Sequence, residues 1–480
     1  MLILCGLGWL ADNMWLQCVA VILPRVQQHF QVPNSMIGLL SSSIFLGMMV
    51  GSLFWGFFSD TNGRQSAFNW TLAVAAFFGI LSSMAPDFSS LCICLLLLGF
   101  GVGGNMPVDG ALFLEFIPRE SQHLLTFLSV FFSFGAVLSS LLAWLILPQN
   151  SCPDIISPSQ LLEVVVCNVE IENNGWRYLL LSLGLLNLLM VVARVVIFQL
   201  PESPKFLMSQ NRPEDVVVVL RRIVRINGSQ LSVSLGDIQV PSPSDYGSSS
   251  PEFIPEDLSI DTSADSPKPL SWNECLRRVV PLFRPHYLKT TVLVWMVWTF
   301  TSLAYTMFNV FLPKYLEMKN GSDSTKAPTS SSEVYGSYLI YSLCGIPGSM
   351  IGSYLVETVL GRKGSMAMSS VGSALALLGF AKANSSATIT FSSGIFSFLI
   401  TILYAILYAY TPEVFDAKVR GTACGIASAL GRIAGMVAPL VTGGLLSVSL
   451  SLPNYLSAAM FLLVGACSIL LPIETKGRAN

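Results

Sequence analysis

The stretch GFFSDTNGR runs from Gly56 to Arg64, and a related stretch, SYLVETVLGR, ends at Arg362. The two closing arginines are 298 positions apart, and the same offset separates Glu115 in LEFIPRE from Glu413 in TPEVFDAKVRG. The two parts of the chain also close alike, with PESPKFL in the first and PIETKGR in the second. Two residue pairs that share one offset indicate that the chain consists of two equivalent halves.

The composition is that of a membrane protein, because 52% of the 480 residues are hydrophobic and only 11% are charged. Soluble globular chains carry about 25% charged residues. A membrane-spanning helix needs roughly 20 mostly apolar residues. Twelve segments fit, at about 1–23, 37–58, 66–85, 90–115, 123–147, 177–199, 289–312, 334–357, 365–381, 388–411, 420–446 and 455–472. We therefore predict an all-α membrane protein of twelve transmembrane helices in two six-helix bundles, an arrangement typical of parallel repeats.

The spans divide the chain into three parts. Residues 1–199 form the predicted N-terminal bundle and residues 289–480 the C-terminal bundle. The segment 200–288 between them is rich in Ser, Pro and acidic residues, and we predict that it is partly disordered because it cannot form a core. Its stretch 213–226, PEDVVVVLRRIVRI, has helical periodicity and basic residues, which is typical of a helix on a membrane surface.

The basic residues predict the orientation, since cytoplasmic loops carry the excess of Lys and Arg. Of the 26 Lys and Arg residues, 18 lie in or beside the loops on the side of the central segment, and six lie on the other side. Both termini are therefore predicted to be cytoplasmic, in a plasma membrane or an intracellular vesicle or vacuole membrane. The loop 148–176 faces the opposite side and carries Cys152 and Cys167, for which a disulfide and two free thiols are both open.

The repeated stretches carry the candidate gating residues on the predicted cytoplasmic side. Asp60 and Arg64 are four positions apart and face each other if a helix continues through them. We expect charge pairs here to hold the inner gate shut and to break when it opens. The candidates are Gly56, Asp60, Gly63, Arg64, Glu115 and Arg119 in the first half and Glu357, Gly361, Arg362, Glu413 and Arg420 in the second.

The motifs GxxSDxxGR, PESPKFL, TPEVF…VRG and PIETKGR resemble those of the major facilitator superfamily over essentially the whole chain. WLADNM in the first span and GRIAGMVAP in the eleventh resemble the branch related to synaptic vesicle proteins, near the sugar and organic-ion porters. That branch often has an acidic residue three positions after Asp12, where this chain has Trp15. The resemblance implies a secondary transporter that works by alternating access.

Asp12 is the first candidate for the binding site. It lies twelve residues before Pro24, the predicted outer end of the first span, and therefore about 18 Å deep, near the bilayer midplane. Ionisable residues at this depth are costly and usually face a bundle interior or an aqueous cavity. Asp12 is thus interpreted as a proton or substrate site, with a permanently protonated helix-packing residue as the alternative.

Arg432 lies about as deep, twelve residues after Arg420. An arginine does not lose its proton in a protein, so Arg432 requires an anion. Asp12, another carboxylate and an anionic substrate are all open as partners, and so is a fixed structural ion pair.

Asn105 and Asp109 share a face of the fourth span, since they are four residues apart. Asp109 is only six residues from Glu115, about 9 Å, and could belong to either the binding site or the gate. Arg194 is shallow too, and we expect its side chain to extend to the inner membrane interface.

Trp298 and Tyr305 are seven residues apart in the seventh span and share a face that could line a cavity. Most other aromatic residues of the second half are expected at lipid or at the interface. Sugar porters that resemble this chain tend to carry Gln in the fifth and seventh spans, and these spans have none. A hexose needs many hydrogen-bond partners, so an apolar or aromatic organic ion is the better expectation.

We therefore expect a proton-coupled secondary transporter of a small organic ion. No G-x-x-x-x-G-K nucleotide loop is present, no His lies in a span core and no Cys/His cluster has metal-ligand spacing. We expect no cofactor, no metal and no enzymatic activity. The expected partners are the small-molecule substrate, protons and the lipid bilayer, with no nucleic acid, and the protein is expected to be a monomer. A sugar/proton symporter and a non-transporting receptor or trafficking protein on a transporter scaffold are the alternatives.

Overall fold

The computed structural model of the chain describes residues 1–117, 124–152, 167–210, 212–228, 279–320, 331–355, 358–383, 385–415 and 417–475. Within these residues the long helices number twelve, one of them broken. They are Leu2–Phe30 (α1), Asn34–Asn62 (α2), Arg64–Ser82 (α3), Phe88–Val102 and Asn105–Phe116 (α4a and α4b), Leu124–Ile146 (α5), Gly175–Val192 (α6), Pro285–Asn309 (α7), Ser331–Leu355 (α8), Gly361–Lys382 (α9), Ser386–Val414 (α10), Ala417–Leu446 (α11) and Leu452–Leu470 (α12).

Ten helical segments of the described chain are long and apolar enough to cross a membrane. The two long helices outside that set, α3 and α8, are less apolar, since α3 begins with polar residues and α8 is rich in Ser, Gly and Tyr. Both nevertheless pack within the bundle, α3 against α4a and α6, and α8 against α5 and α10. The prediction of an all-α, twelve-helix membrane protein is confirmed.

Equivalent helix pairs form in both halves. In the first half α1 packs on α5, α2 on α4a, and α3 on α6; in the second half α7 packs on α11, α8 on α10, and α9 on α12. The helix numbers in each pair of the second half are six higher than those of the matching pair in the first half. A duplicated six-helix unit produces this pattern. The two bundles meet along α2 with α11 and along α5 with α8.

The predicted end of the first span was wrong. We expected the span to end at Pro24, but α1 continues through that proline to Phe30. Proline removes one helical hydrogen bond, and neighbouring helices let a membrane helix tolerate the loss. As a result Arg25, which we expected in an outer loop, lies on α1 and is fully buried.

Two helices break near the site that is described below. The fourth span changes direction at Gly103 and Gly104, between α4a and α4b. After Val192, α6 continues as a π-helix over Ala193–Phe198. Short π-helical segments occur frequently at functional sites because the extra residue redirects the side chains, and this one carries Arg194.

The contact between α2 and α11 lies in the half of the membrane away from the central segment, which we call the outer half after the predicted orientation. A Cβ atom on Gly38 would lie 2.3 Å from the carbonyl oxygen of Pro439, and one on Gly443 would lie 2.7 Å from that of Asn34. Between these points the Ser42 hydroxyl donates to the carbonyl of Met436 at 2.7 Å. Small residues thus let the two halves approach at backbone distance.

The loop between α5 and α6 contains a disulfide between Cys152 and Cys167, whose Cα atoms are 5.8 Å apart. This decides between the bonded and the free state that the sequence left open. On the other face, the helix Pro213–Ile226 packs on Pro204–Ser209 through Leu207, Val216 and Val219. The predicted helix therefore exists, whereas residues 229–278, in which we expected disorder, lie outside the described residues.

Gly38→Ala should loosen the outer contact of the halves, since its methyl group would collide with the backbone of α11. We expect a loss of about 1–3 kcal/mol in stability, typical of overpacking. The thermal unfolding midpoint should fall, and the distance distribution between spin labels at Gln31→Cys and Met318→Cys should broaden. Gly444→Ala on α11 is the matched control, because a Cβ atom there meets nothing within 4 Å. Equal midpoints for the two variants would contradict the close contact.

Candidate functional site

Asp12 lies on the buried face of α1 with 1% of its surface exposed. The side-chain amide of Asn105 donates to its Oδ1 at 2.7 Å. Asn105 is the first residue of α4b, so the break in the fourth span positions the amide beside α1. Asp12 Oδ2 and Asn105 Oδ1 have no hydrogen-bond partner in the described part of the chain. The carboxyl group therefore has one anchored oxygen and one free oxygen.

Arg194 does not extend to the membrane interface as we expected. Its guanidinium is buried and forms an ion pair with Asp109, with Nη2 2.9 Å from Oδ2 and neither side chain exposed. Nη1 donates to the carbonyl of Phe68 at 2.6 Å, and Cζ lies 3.6 Å from the centre of the Phe68 ring. Arg194 lies in the π-helix, and its partners lie on α3 and α4b. Because these partners compensate its charge inside the bundle, the side chain has no need to extend to the interface.

Arg432 bridges the two halves at the level of Asp12. Its Nη1 donates to the carbonyl of Met48 on α2 at 3.2 Å. It interacts electrostatically with Asp12 and Tyr408, but within the described residues it forms no ion pair. The residue is partly exposed, and its charge is permanent.

Four aromatic side chains of α7 and α10 form a continuous surface that we call the aromatic wall. Trp298 and Tyr408 meet edge to face at 4.8 Å, and Tyr305 and Tyr404 meet at 5.5 Å. Tyr404 and Tyr408 join the two pairs at 6.3 Å. The Trp298 indole N–H already donates a hydrogen bond to the Thr411 hydroxyl at 2.9 Å. The aromatic wall thus presents mainly ring surfaces, and few free hydrogen-bond donors, to a ligand.

Gln17 is a site residue that our sequence reasoning missed. Its Oε1 accepts from the Tyr338 hydroxyl and, at 3.3 Å, from the Asn309 amide, and its Nε2 lies 3.5 Å from the Tyr305 hydroxyl. The Asn309 Oδ1 in turn accepts from Tyr341 at 2.8 Å. A signal was present, because Gln17 lies between apolar residues only five positions after Asp12. This network ties α1 to α7 and α8.

A second layer of polar contacts, farther out, completes what we call the outer seal. Arg25 donates to Glu317 at 2.5 Å, to the Tyr335 hydroxyl at 3.1 Å and to the carbonyl of Cys152 at 2.9 Å. Glu317 belongs to the short helix Leu312–Asn320, which follows α7. On the same helix, Lys314 donates to Gln27 at 2.6 Å and to Asn34 at 2.5 Å. The seal therefore joins the two halves through ionic and neutral hydrogen bonds.

The gating candidates of the first half form a cluster at the inner end of α3. Arg64 pairs with Asp60, and its Nε is 3.2 Å from Glu115 Oε1. The Glu202 carboxylate accepts from the backbone N–H groups of Arg64 at 2.8 Å and Gln65 at 3.2 Å. A carboxylate at a helix N-terminus compensates the unpaired N–H groups there. This explains the role of the glutamate in PESPKFL, which the sequence alone did not.

The second half repeats this cluster. Arg362 binds Glu413 in a bidentate pair, at 2.9 and 3.1 Å. Glu474 of PIETKGR accepts from the backbone of Arg362 at 2.9 Å and Lys363 at 3.1 Å. Both clusters lie within their own halves. Of the predicted gating residues, Arg119 and Glu357 lie outside the described residues, and the Arg420 side chain is not described.

Both clusters require a glycine at one position. Gly63 and Gly361 have positive φ angles, 103° and 62°. A Cβ atom on Gly63 would be 2.3 Å from the Glu202 carboxylate, and one on Gly361 would be 2.8 Å from that of Glu474. Only glycine combines this backbone conformation with the close approach of the carboxylate. Gly56, by contrast, has open space beside it and no such requirement.

Comparison with known proteins adds the relationships of the chain. The family described as sugar (and other) transporter matches residues 17–479. The chain is 33% identical over 481 residues to a protein of Ceriporiopsis subvermispora named MFS siderochrome iron transporter 1, covering 100% of this chain and 87% of the relative. It is 26% identical over 497 residues to the synaptic vesicle 2-related protein of Rattus norvegicus, covering 99% and 78%. The predicted resemblance is confirmed.

Solved structures show the same fold. The chain matches a partially occluded, inward open conformation of the xylose transporter XylE from E. coli with a TM-score of 0.72. The match covers 100% of this chain and 99% of the other, at 16% sequence identity. A likeness at this identity supports the twelve-helix architecture and leaves the substrate open.

The outer seal should strengthen at alkaline pH because of Lys314. Burial lowers the pKa of its ammonium to about 8, against about 10.4 for an exposed lysine. If opening exposes Lys314, the open state binds the proton more tightly, so the closed state gains stability as the pH rises from 8 towards 10. Below pH 8 both states are protonated and this contribution is constant.

Spin-label distances between Gln31→Cys and Met318→Cys, measured from pH 7 to 10, test this prediction. The closed population should grow with pH in the parent and stay constant in Lys314→Met. Lys382→Met, at the exposed last residue of α9, is the control and should behave like the parent. The same pH response in Lys314→Met as in the parent would show that another group is responsible.

Proposed function

The chain belongs to the sugar (and other) transporter family of the major facilitator superfamily, and we propose that it transports a small organic anion together with a proton by alternating access. Asp12 is the proton site and Arg432 the anion site in this proposal. The observation that carries it is a pair of opposite charges, near the middle of the membrane and within electrostatic range, that do not neutralise each other in an ion pair.

Charge balance couples the two sites. With Asp12 ionised and the anion site empty, the charges of Asp12 and Arg432 cancel. An anion bound to Arg432 leaves one negative charge in excess, and a proton on Asp12 restores neutrality. Since an uncompensated charge in a low-dielectric interior is costly, each ligand favours binding of the other. The expected stoichiometry is one proton per monovalent anion, without net charge movement.

The aromatic wall favours an aromatic or apolar body on that anion. Trp298 has donated its N–H to Thr411, and the Ser302 hydroxyl donates to the carbonyl of Gly431 at 2.6 Å. A sugar would find few unpaired donors and acceptors on this side, whereas a ring could stack on Tyr404 and Tyr408. Arginine suits a carboxylate because its two N–H groups bind both oxygens.

The contacts between the halves support alternating access. The Arg432–Met48 hydrogen bond lies at the level of Asp12, and the outer seal lies outside it. The inner clusters connect helices of one half only, at Arg64 and at Arg362. We infer that the protein is closed on the outer side and that the site communicates with the inner side, which is cytoplasmic in the predicted orientation. A fixed receptor scaffold would not need both arrangements.

Asp12→Asn tests the proton site in proteoliposomes. The variant keeps the shape of the side chain but cannot take up a proton, so uphill uptake driven by a pH gradient should be lost while exchange of substrate persists. The panel of probes contains benzoate, phenylacetate, xylose, glucose and a siderochrome. Asp87→Asn makes the same change at an exposed helix cap, where Asn caps as well as Asp, and should transport like the parent.

Three outcomes would overturn this function. Accumulation by Asp12→Asn equal to that of the parent would exclude Asp12 as the coupling site. Uphill uptake of xylose or glucose with no uptake of the anions would establish the sugar symporter instead. Binding of a probe without flux in the parent would favour the receptor alternative.

Arg432→Lys tests the anion site. Lysine retains the charge but loses the bidentate geometry, so the affinity for the transported anion should fall about tenfold, which corresponds to about 1.4 kcal/mol. The unfolding midpoint should stay close to the parent value, because the described chain shows no ion pair at this residue. Arg177→Lys, the same change at an arginine stacked on Trp176, should leave the affinity unchanged. Unaltered affinity in Arg432→Lys would exclude it as the anchor.

A further inference from the structure

The Asp109–Arg194 ion pair lies directly against the backbone of α1, one helical turn from Asp12. A Cβ atom on Gly8 would be 1.7 Å from Asp109 Oδ2 and 2.5 Å from Arg194 Nη2. Gly8 precedes Asp12 by four residues, and Asn105 precedes Asp109 by four. The two helices thus face each other in two rungs, one formed by Asp12 and Asn105 and the other by Gly8 and the ion pair.

Several buried polar atoms on this surface have no hydrogen-bond partner in the part of the chain that the structure describes. Asp12 Oδ2, Asn105 Oδ1, Asp109 Oδ1 and Arg194 Nε are buried and have no hydrogen-bond partner within the described residues. Asp12 and Asp109 therefore each keep one carboxyl oxygen that can accept a proton.

The charges of the first half balance only when one of its two buried carboxyl groups is protonated or is neutralised from elsewhere. Asp12 and Asp109 can each carry a negative charge, and Arg194 always carries a positive one. Protonation of Asp109 would leave Arg194 buried without a counter-ion, which is strongly unfavourable. The exchangeable proton is therefore directed to Asp12, while Arg194 keeps Asp109 ionised.

We propose that Asp109 and Arg194 are positioning residues that set the pH at which Asp12 takes up its proton, with Gly8 as the residue that admits them to α1. The proposal rests on the proposed function, in which Asp12 carries the coupled proton. It assigns the arginine of α6 to the electrostatics of proton uptake and leaves Arg432, on the other half, to the substrate.

Other charged or titratable groups also act on these carboxyl groups, and the experiment must keep them constant. Phe68 of α3 contributes only its carbonyl and its ring to the pair. Among the described residues, and apart from Arg194, the groups that interact electrostatically with Asp12 or Asp109 are Cys5 on α1, Tyr408 on α10 and Arg432 on α11.

Infrared titration of the full-length protein in lipid measures proton uptake without a known substrate. The C=O stretching band of a protonated carboxylic acid that is lost in Asp12→Asn reports Asp12, and its intensity against pH gives the titration midpoint. Asp109→Asn leaves the charge of Arg194 uncompensated beside Asp12 and should move the midpoint to lower pH, on the order of one unit. Adding Arg194→Gln removes that charge and should return the midpoint towards the parent value.

Two further variants separate electrostatics from packing. Arg194→Lys keeps the charge and should keep the midpoint within a few tenths of a unit. Gly8→Ala displaces the pair without changing any charge and should both shift the midpoint and reduce the additional effect of Asp109→Asn. Gly6→Ala is the control, because the three atoms nearest to its methyl group would all belong to the uncharged Phe131 ring, at 2.7 Å.

The outcomes distinguish this proposal from the one on which it rests. If Asp12→Asn removes no titrating band, the proton site itself is wrong. If the band is lost but Asp109→Asn titrates like the parent, only the positioning role is overturned. If Asp109→Asn does not fold, Gly8→Ala decides, and a midpoint equal to that of Gly6→Ala overturns the role. A shift in Asp109→Asn that persists unchanged after Arg194→Gln would show a structural effect and would also overturn it.

Discussion

The cost of an uncompensated charge inside the membrane organises this protein. The charge of Arg194 is compensated by Asp109, by the carbonyl of Phe68 and by the Phe68 ring over which the guanidinium lies. Asp12 and Arg432 are compensated only partly: within the described residues, each forms one hydrogen bond, to a neutral group. Charged residues that are paired with an opposite charge stabilise one arrangement of helices, whereas charged residues held only by a neutral group can accept a ligand. The same rule therefore separates the scaffold of the first half from the proposed binding site.

The duplicated halves preserve their inner clusters and differ at the centre. Arg64 with Glu202 and Arg362 with Glu474 use the same glycine turn and the same carboxylate at a helix N-terminus. Near the midplane, however, the first half contributes buried ionisable residues from α1, α4b and the π-helix, and the second half contributes aromatic rings from α7 and α10 and one arginine from α11. Duplication accounts for the frame, and divergence at the centre gives one half the proposed proton chemistry and the other the proposed substrate contacts.

Local sequence patterns predicted the fold and the neighbours of some site residues. The positions of other charged residues depend on long-range contacts that the sequence does not reveal. Apolar runs and the 298-residue offset were sufficient for twelve helices in two halves, and the four-residue spacings correctly joined Arg64 with Asp60 and placed Asn105 on the face of Asp109. Arg194 was misjudged because its partner is 85 residues away and its direction depends on a π-helix that no sequence period reveals. Arg25 was misjudged because a proline normally ends a helix, and only the packing of neighbouring helices shows that this one does not.

The outer seal and the inner clusters differ in the elements that they connect, and this difference bears on how the protein moves. Arg25 and Lys314 join α1 and α2 of one half to the short helix and α8 of the other, so these bonds must break whenever the halves separate on the outer side. The contacts of Arg64 and Arg362 stay within one half and can persist as that half rotates as a body. Most of the seal consists of single hydrogen bonds to neutral partners, which water can replace on opening, and the buried Lys314 makes the closed state responsive to pH. Asp12 and Arg432 then move little when the halves rotate about the midplane. A proton and an anion bound there can therefore be exposed to either side of the membrane without separating.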